Sequence, residues 1–188
     1  HQLLKKAGHT VSFSREVTQI ESLLSDFGSD LALRKEKGAR DAPSRLLVLL
    51  EPDRIPMLRR TGDIGSKLSP QQEHFRRLLA DGSQYGLHVV MAFSVFSLVA
   101  LVIDKRKELT YFAHRVGLQM SQNDSFELFG NYKATNLQSE NNKVPVALYQ
   151  NTEMNDAIRF KPYALPDLGI INKHAQTLAK IYAGQQIK

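Results

Sequence analysis

The chain has 188 residues, of which 42% are apolar and 23% charged, with a net charge of +6; that is enough for one buried core and excludes global disorder. No apolar run reaches the roughly 18 residues of a membrane-crossing helix, and Leu87 to Ile103, the longest candidate, is interrupted by His88, Ser94 and Ser97. The absence of cysteine excludes disulfides and thiolate metal sites, and with no leader-like segment the expected compartment is the cytoplasm.

The chain opens at His1 directly into the helical-looking Gln2 to Lys6, as a piece of a longer polypeptide would. His9 to Phe13 is a short β-prone run. Ser14 is placed to cap a helix in which Val17, Ile20, Leu24, Phe27 and Leu31 share one face, ending at Lys37 before Gly38. Gly28 costs that helix some propensity. Leu46 to Leu50 is a continuous apolar run, as expected of a strand buried on both faces. After a connection marked by Pro52, Pro56, Gly62 and Gly65, Ser69-Pro70 opens a helix with Glu73 in its first turn; it presents Phe75, Leu78 and Leu79 and stops near Gly82.

Leu87 to Phe93 predicts a second buried strand and Val116 to Met120 a third, with one or two short helices over Ser97 to Phe112. Ser121 caps a helix carrying Leu128 and Phe129 to Gly130. Val146 to Tyr149 and Ile158 to Phe160 read as an antiparallel hairpin at the sheet edge, and a last helix covers Ile170 to Ala183. Alternating strands and helices predict an α/β fold with a mostly parallel sheet flanked by helices.

The excess positive charge falls in small clusters: Lys5-Lys6, Arg34-Lys35, Arg59-Arg60, Arg76-Arg77 and Lys105-Arg106-Lys107. Clustered cations suit sequence-independent phosphate contacts, so DNA is the expected polymer and Arg76 and Arg77 the candidate contacts. Solvated helix faces are the plainer reading of any one cluster. The six histidines show no metal-ligand spacing. Gly62 to Ser69 has glycines, Lys67 and a following helix, but lacks the Gly-Lys-Ser/Thr unit of a phosphate loop. Glu51 and Asp53 are the acids placed beyond the carboxyl end of a strand, where α/β sheets bind ligands and where P-loop ATPases hold magnesium. An acidic turn is the alternative, since Glu-Pro-Asp is good turn chemistry.

Taken in order, the segments resemble the FtsK/SpoIIIE/HerA family of motor ATPases. Leu46 to Arg60 is similar to the Walker B strand and its sequel, and Phe75 to Ser94 to the helix and strand ending near a polar sensor. Phe112 to Leu128 is similar to the strand with its arginine, Lys143 to Tyr149 to the closing strand, and Phe160 to Tyr163 to the family's ending. The resemblance implies that residues 1–165 are the C-terminal portion of a RecA-like P-loop domain, its Walker A region absent, followed by a helical extension over 166–188. It implies a parent that forms a ring oligomer such as a hexamer, binds ATP and magnesium and translocates DNA; for this chain alone it implies no cofactor.

By position, Glu51 stands where the magnesium-linked acid is expected, and Asp53 takes the catalytic role that Pro52 cannot fill. Ser94 matches the sensor, followed by apolar Val95 where glutamine is common. Arg115 matches the strand arginine, which should reach a neighbouring subunit or a local carboxylate, and Phe126 replaces a second arginine. Those departures open the alternative of a degenerate, non-hydrolysing module for assembly or secretion coupling, of the kind that type VII secretion ATPases carry. A plain DNA-binding α/β domain is a third reading. A RecA-like fold further requires Leu46 to Leu50 to lie parallel to Leu87 to Phe93, with Glu51 and Ser94 at one cleft.

Overall fold

The computed structural model describes residues 12, 14–60, 68–137, 145–152, 157–162 and 167–185. One compact unit is Glu16–Lys161; His1–Arg15 together with Pro162–Lys188 forms another.

In the larger unit, helix α1 spans Val17–Lys37 and buries Leu24, Phe27 and Leu31. These positions, three and four apart, form one stripe. The helix starts at Val17 rather than after Ser14, and Val17 is 50% exposed. Gly38 ends it at φ 60°, a left-handed turn whose N–H meets the last carbonyls. Strand β1 (Arg45–Leu50) follows, then two 3-10 turns over Pro52–Arg54 and Pro56–Leu58. The glycine-rich stretch Gly62 to Lys67 lies outside the described residues.

Helix α2 (Pro70–Asp81) begins in a capping box. The Gln72 N–H donates to Ser69 Oγ (3.2 Å) and the Ser69 N–H to Gln72 Oε1 (2.9 Å). Phe75, Leu78 and Leu79 of α2 pack with the α1 stripe and with Leu47, Leu49 and Leu87. Strand β2 (Leu87–Ala92) lies parallel to β1, in register from Arg45–Leu87 to Leu50–Ala92.

The expectation that β1 is buried on both faces is corrected. Leu47 and Leu49 point into the core, whereas Leu46, Val48 and Leu50 are 59%, 51% and 66% exposed and Val90 is 47% exposed. Side chains alternate along a strand, and among the described residues one helical layer, α1 with α2, covers this sheet.

The mostly parallel sheet is also corrected. The third strand is His114–Gly117 (β3), not Val116 to Met120, and it pairs antiparallel with β4 (Ala147–Asn151). β4 pairs antiparallel with β5 (Ala157–Phe160), so the expected hairpin is present but in its own three-stranded sheet. Its turn residues 153–156 lie outside the described residues. A parallel addition needs a substantial crossover, usually an α-helix. The chain between β2 and β3 instead forms short 3-10 segments over Phe96–Leu101 and Glu108–Tyr111. The fold is therefore mixed α/β, with a two-stranded parallel and a three-stranded antiparallel sheet.

Helix α3 (Gln122–Phe129) is capped by Ser121 Oγ, which accepts from the Asp124 N–H at 3.1 Å, and ends at left-handed Gly130. Phe129, Ala134, Leu137, Leu148 and Ala157 form a second core cluster behind the antiparallel sheet. In the other unit, helix α4 covers Leu168–Gln185. Among the described residues no helix is long and apolar enough to cross a membrane.

Candidate functional site

The parallel pairing sends the carboxyl ends of β1 and β2 to the same edge, and there the ladder continues one step further. The Glu51 N–H donates to Ala92 O at 2.8 Å. Glu51 itself is left-handed (φ 49°, ψ 55°), and among the described residues it is the one non-glycine with positive φ. That conformation costs a side-chain-bearing residue roughly 1–2 kcal/mol and turns the chain sharply out of the strand. Pro52 next fixes φ for the 3-10 turn and is fully buried.

The Glu51 carboxylate is held by Arg54 Nε at 3.0 Å. Asp53 is half-buried, and its Oδ1 is buried with no hydrogen-bond partner. A buried polar oxygen without a partner is costly to the fold. Ser94 is exposed just past β2, before the Phe96–Leu101 segment that packs on Pro52–Arg54. Glu51, Asp53 and Ser94 thus share one sheet edge.

The other candidates lie elsewhere. Arg115, on β3, forks onto three backbone carbonyls: Leu128 O at 2.8 Å, Leu109 O at 3.1 Å and Phe112 O at 3.1 Å. Burial pushes its pKa down. No carboxylate among the described residues shares this guanidinium. Arg76 is half-buried and ion-paired to Glu108, whose other oxygen accepts the Asp104 N–H at 2.7 Å. Arg77 stands exposed beside Glu73, at 3.4 Å. Arg76 and Arg77 are adjacent in sequence yet face different surroundings.

Among the described residues no group of three His, Cys, Asp or Glu side chains could hold a metal on its own. Magnesium asks for less: one or two carboxylates, with waters and phosphate oxygens completing its octahedron. The acids at this edge are Glu51, already paired to Arg54, and Asp53, whose enclosed Oδ1 has no partner.

Sequence reasoning missed a charge network at the opposite end of β1. The buried Arg34 donates to Asp30 at 2.8 Å and to the carbonyls of Tyr85 and Pro43. Arg45 bonds Asp30 and Asp26 and lies over the Phe27 ring at 4.3 Å. The four-residue spacing of Asp30 and Arg34 on one helix was the available signal.

No protein-family model and no curated protein matches the chain.

Proposed function

We propose that the chain forms part of a RecA-like motor ATPase of the FtsK/SpoIIIE/HerA type and contributes the acidic strand end of its nucleotide site. The observation that carries this reading is the in-register parallel pairing of β1 with β2, with Glu51, Asp53 and Ser94 at the shared carboxyl edge, where open α/β sheets take their ligands. The exposed apolar face of Leu46, Val48, Leu50 and Val90 fits the same reading, because parallel sheets are ordinarily covered on both faces.

In this reading Asp53 and Glu51 would hold magnesium, and Ser94 offers a hydroxyl donor to a phosphate oxygen. When bound, the ion supplies neutralisation of charge on the β- and γ-phosphates. The left-handed turn at Glu51 carries the chain straight into the 3-10 turn that holds Asp53, so both acids stay within two residues of the strand end. Since the sequence has no Gly-Lys-Ser/Thr loop, this chain alone is expected to hydrolyse no ATP. Ring assembly and DNA translocation belong to the same proposal.

A specific feature favours the second reading, a non-hydrolysing module. Pro52 stands buried where the family carries a catalytic glutamate, and Arg54 neutralises Glu51. Both readings are tested by fusing the chain behind a strand that ends in a Gly-x-x-x-x-Gly-Lys-Ser loop. DNA-stimulated hydrolysis that falls about 100-fold or more in Asp53→Asn supports the motor. Nucleotide binding without turnover supports the degenerate module, and no nucleotide binding defeats both.

A further inference from the structure

We propose that the free edge of β1 pairs with the same strand of a second copy of this chain, antiparallel and centred on Val48. The inference does not rest on the nucleotide reading.

The backbone defines which groups are free. The N–H groups of Arg45 and Glu51 donate to Gly86 O and Ala92 O of the β2 side, at 2.9 and 2.8 Å. With a period of two, positions 45, 47, 49 and 51 face β2, and the N–H and C=O of Leu46, Val48 and Leu50 point to the opposite edge. No strand occupies that edge among the described residues. The same three residues expose their side chains. The edge carries none of the usual protections, neither an inward charge nor a proline nor a bulge within Arg45–Leu50.

The sequence says what fits it. Arg45 to Glu51 reads Arg-Leu-Leu-Val-Leu-Leu-Glu. Its apolar part is the same in both directions about Val48, and its end charges are opposite. A two-fold axis at Val48 therefore sets Leu46 against Leu50 of the second copy and Val48 against Val48, while Arg45 and Glu51 keep their own partners, Asp26 and Asp30 for the one and Arg54 for the other. All six free N–H and C=O groups on each side then find partners, because a hydrogen-bonded pair at Val48 implies hydrogen-bonded pairs two residues either way. A parallel in-register pairing leaves these groups unmatched, because in a parallel ladder the outward groups of one residue bond the neighbours of the residue opposite it, and those neighbours face β2. A one-residue slip would turn the free groups out of phase. A two-residue shift keeps the phase but leaves Leu46 or Leu50 without an apolar partner, so phase and complete pairing together select one arrangement.

The chain has no cysteine, so a single introduced thiol reports the arrangement cleanly. In Val48→Cys the two Cα atoms would lie about 5.5 Å apart, within disulfide reach. In Val90→Cys, on the same exposed face but one strand inward, the two sites would be separated by three strand spacings, about 14 Å, beyond reach. Mild oxidation is expected to link Val48→Cys into a dimer and to leave Val90→Cys monomeric. Val48→Pro removes an N–H that β2 does not use, so it should keep the circular dichroism spectrum while weakening self-association at least tenfold in sedimentation. Equal linkage of both cysteine variants overturns the proposal. So does a wild-type chain that stays monomeric up to about 500 µM, beyond the range of specific weak pairs, or one that forms open-ended species larger than a dimer.

Discussion

Arg45, at the start of β1, is held 2.7 Å from Asp30 in the middle of α1, and the same carboxylate accepts from the buried Arg34. One acid thereby ties the helix to the strand and, through Arg34, to the turn before β2. Burial is the largest single influence on Asp30 and favours the neutral acid. The hydrogen bonds and charges of Arg34 and Arg45 outweigh it and hold the carboxyl below its ordinary value. The unfolded chain therefore binds the proton more readily than the folded one, so this stabilisation is complete above the unfolded value near pH 4. It is lost as pH falls through the folded pKa. Asp30→Asn is expected to lower stability at pH 7 by about 2–4 kcal/mol, since Arg34 keeps its buried charge. The penalty should shrink on acidification below pH 4, as read by urea denaturation across pH.

Gly28 is the second point at which helix α1 is fixed. A Cβ there would stand 2.6 Å from His74 Cγ on α2, and His74 Nδ1 is itself buried without a partner. Helix propensity alone would make Gly28→Ala stabilising by about 1 kcal/mol. Overpacking reverses the sign, and a net loss of about 1–3 kcal/mol is expected. The double variant with His74→Ala should recover most of it, because the space is then vacated.

The same glycine shows what was legible in the sequence. Periodicity located α1, α2 and α3 well, because their apolar stripes, the Ser69 and Ser121 caps and the Gly38 and Gly130 stops are local features. The parallel partnership of β1 and β2 followed from two apolar runs separated by one helix. Whether an apolar run has cover on one face or two depends on other elements, so Leu46, Val48 and Leu50 read as core in sequence and stand exposed in the fold. The destination of β3 was equally non-local: nothing in His114 to Gly117 announces an antiparallel partner thirty residues on. That Glu51 and Asp53 stand at a strand end was legible because strand ends are local, and Ser94 came from the resemblance; the surroundings of Arg115 and Arg76 are made by distant carbonyls and acids.

Arg115 makes three backbone contacts that lysine cannot reproduce, having a single ammonium in place of a planar fork. Arg115→Lys is expected to cost about 2–3 kcal/mol, measured by thermal or urea unfolding. A trans-acting role with no structural duty would predict unchanged stability.

The basic surface can be divided by the same logic. Arg76 is engaged with Glu108 inside the fold, while Arg106 and Lys107 are exposed and make no ion pair among the described residues. If DNA binds through phosphate contacts, reversing Arg106 and Lys107 to Glu should weaken affinity and reduce the salt slope by about 2. Arg76→Glu should instead lower stability by about 2–3 kcal/mol through repulsion with Glu108. Equal effects of both on DNA affinity, with stability intact, would contradict this division.

In the proposed function, the shared carboxyl edge of β1 and β2 would receive a magnesium-bound phosphate. The most direct test is paramagnetic broadening of amide resonances in the chain by manganese with a non-hydrolysable ATP analogue at millimolar concentration, where affinities of only about 4 kcal/mol are still visible. Glu51, Asp53 and Ser94 are expected to broaden first, and Asp53→Asn to abolish the effect while the fold persists. Broadening at surface acids such as Asp26 and Glu73, with the strand edge untouched, would contradict it.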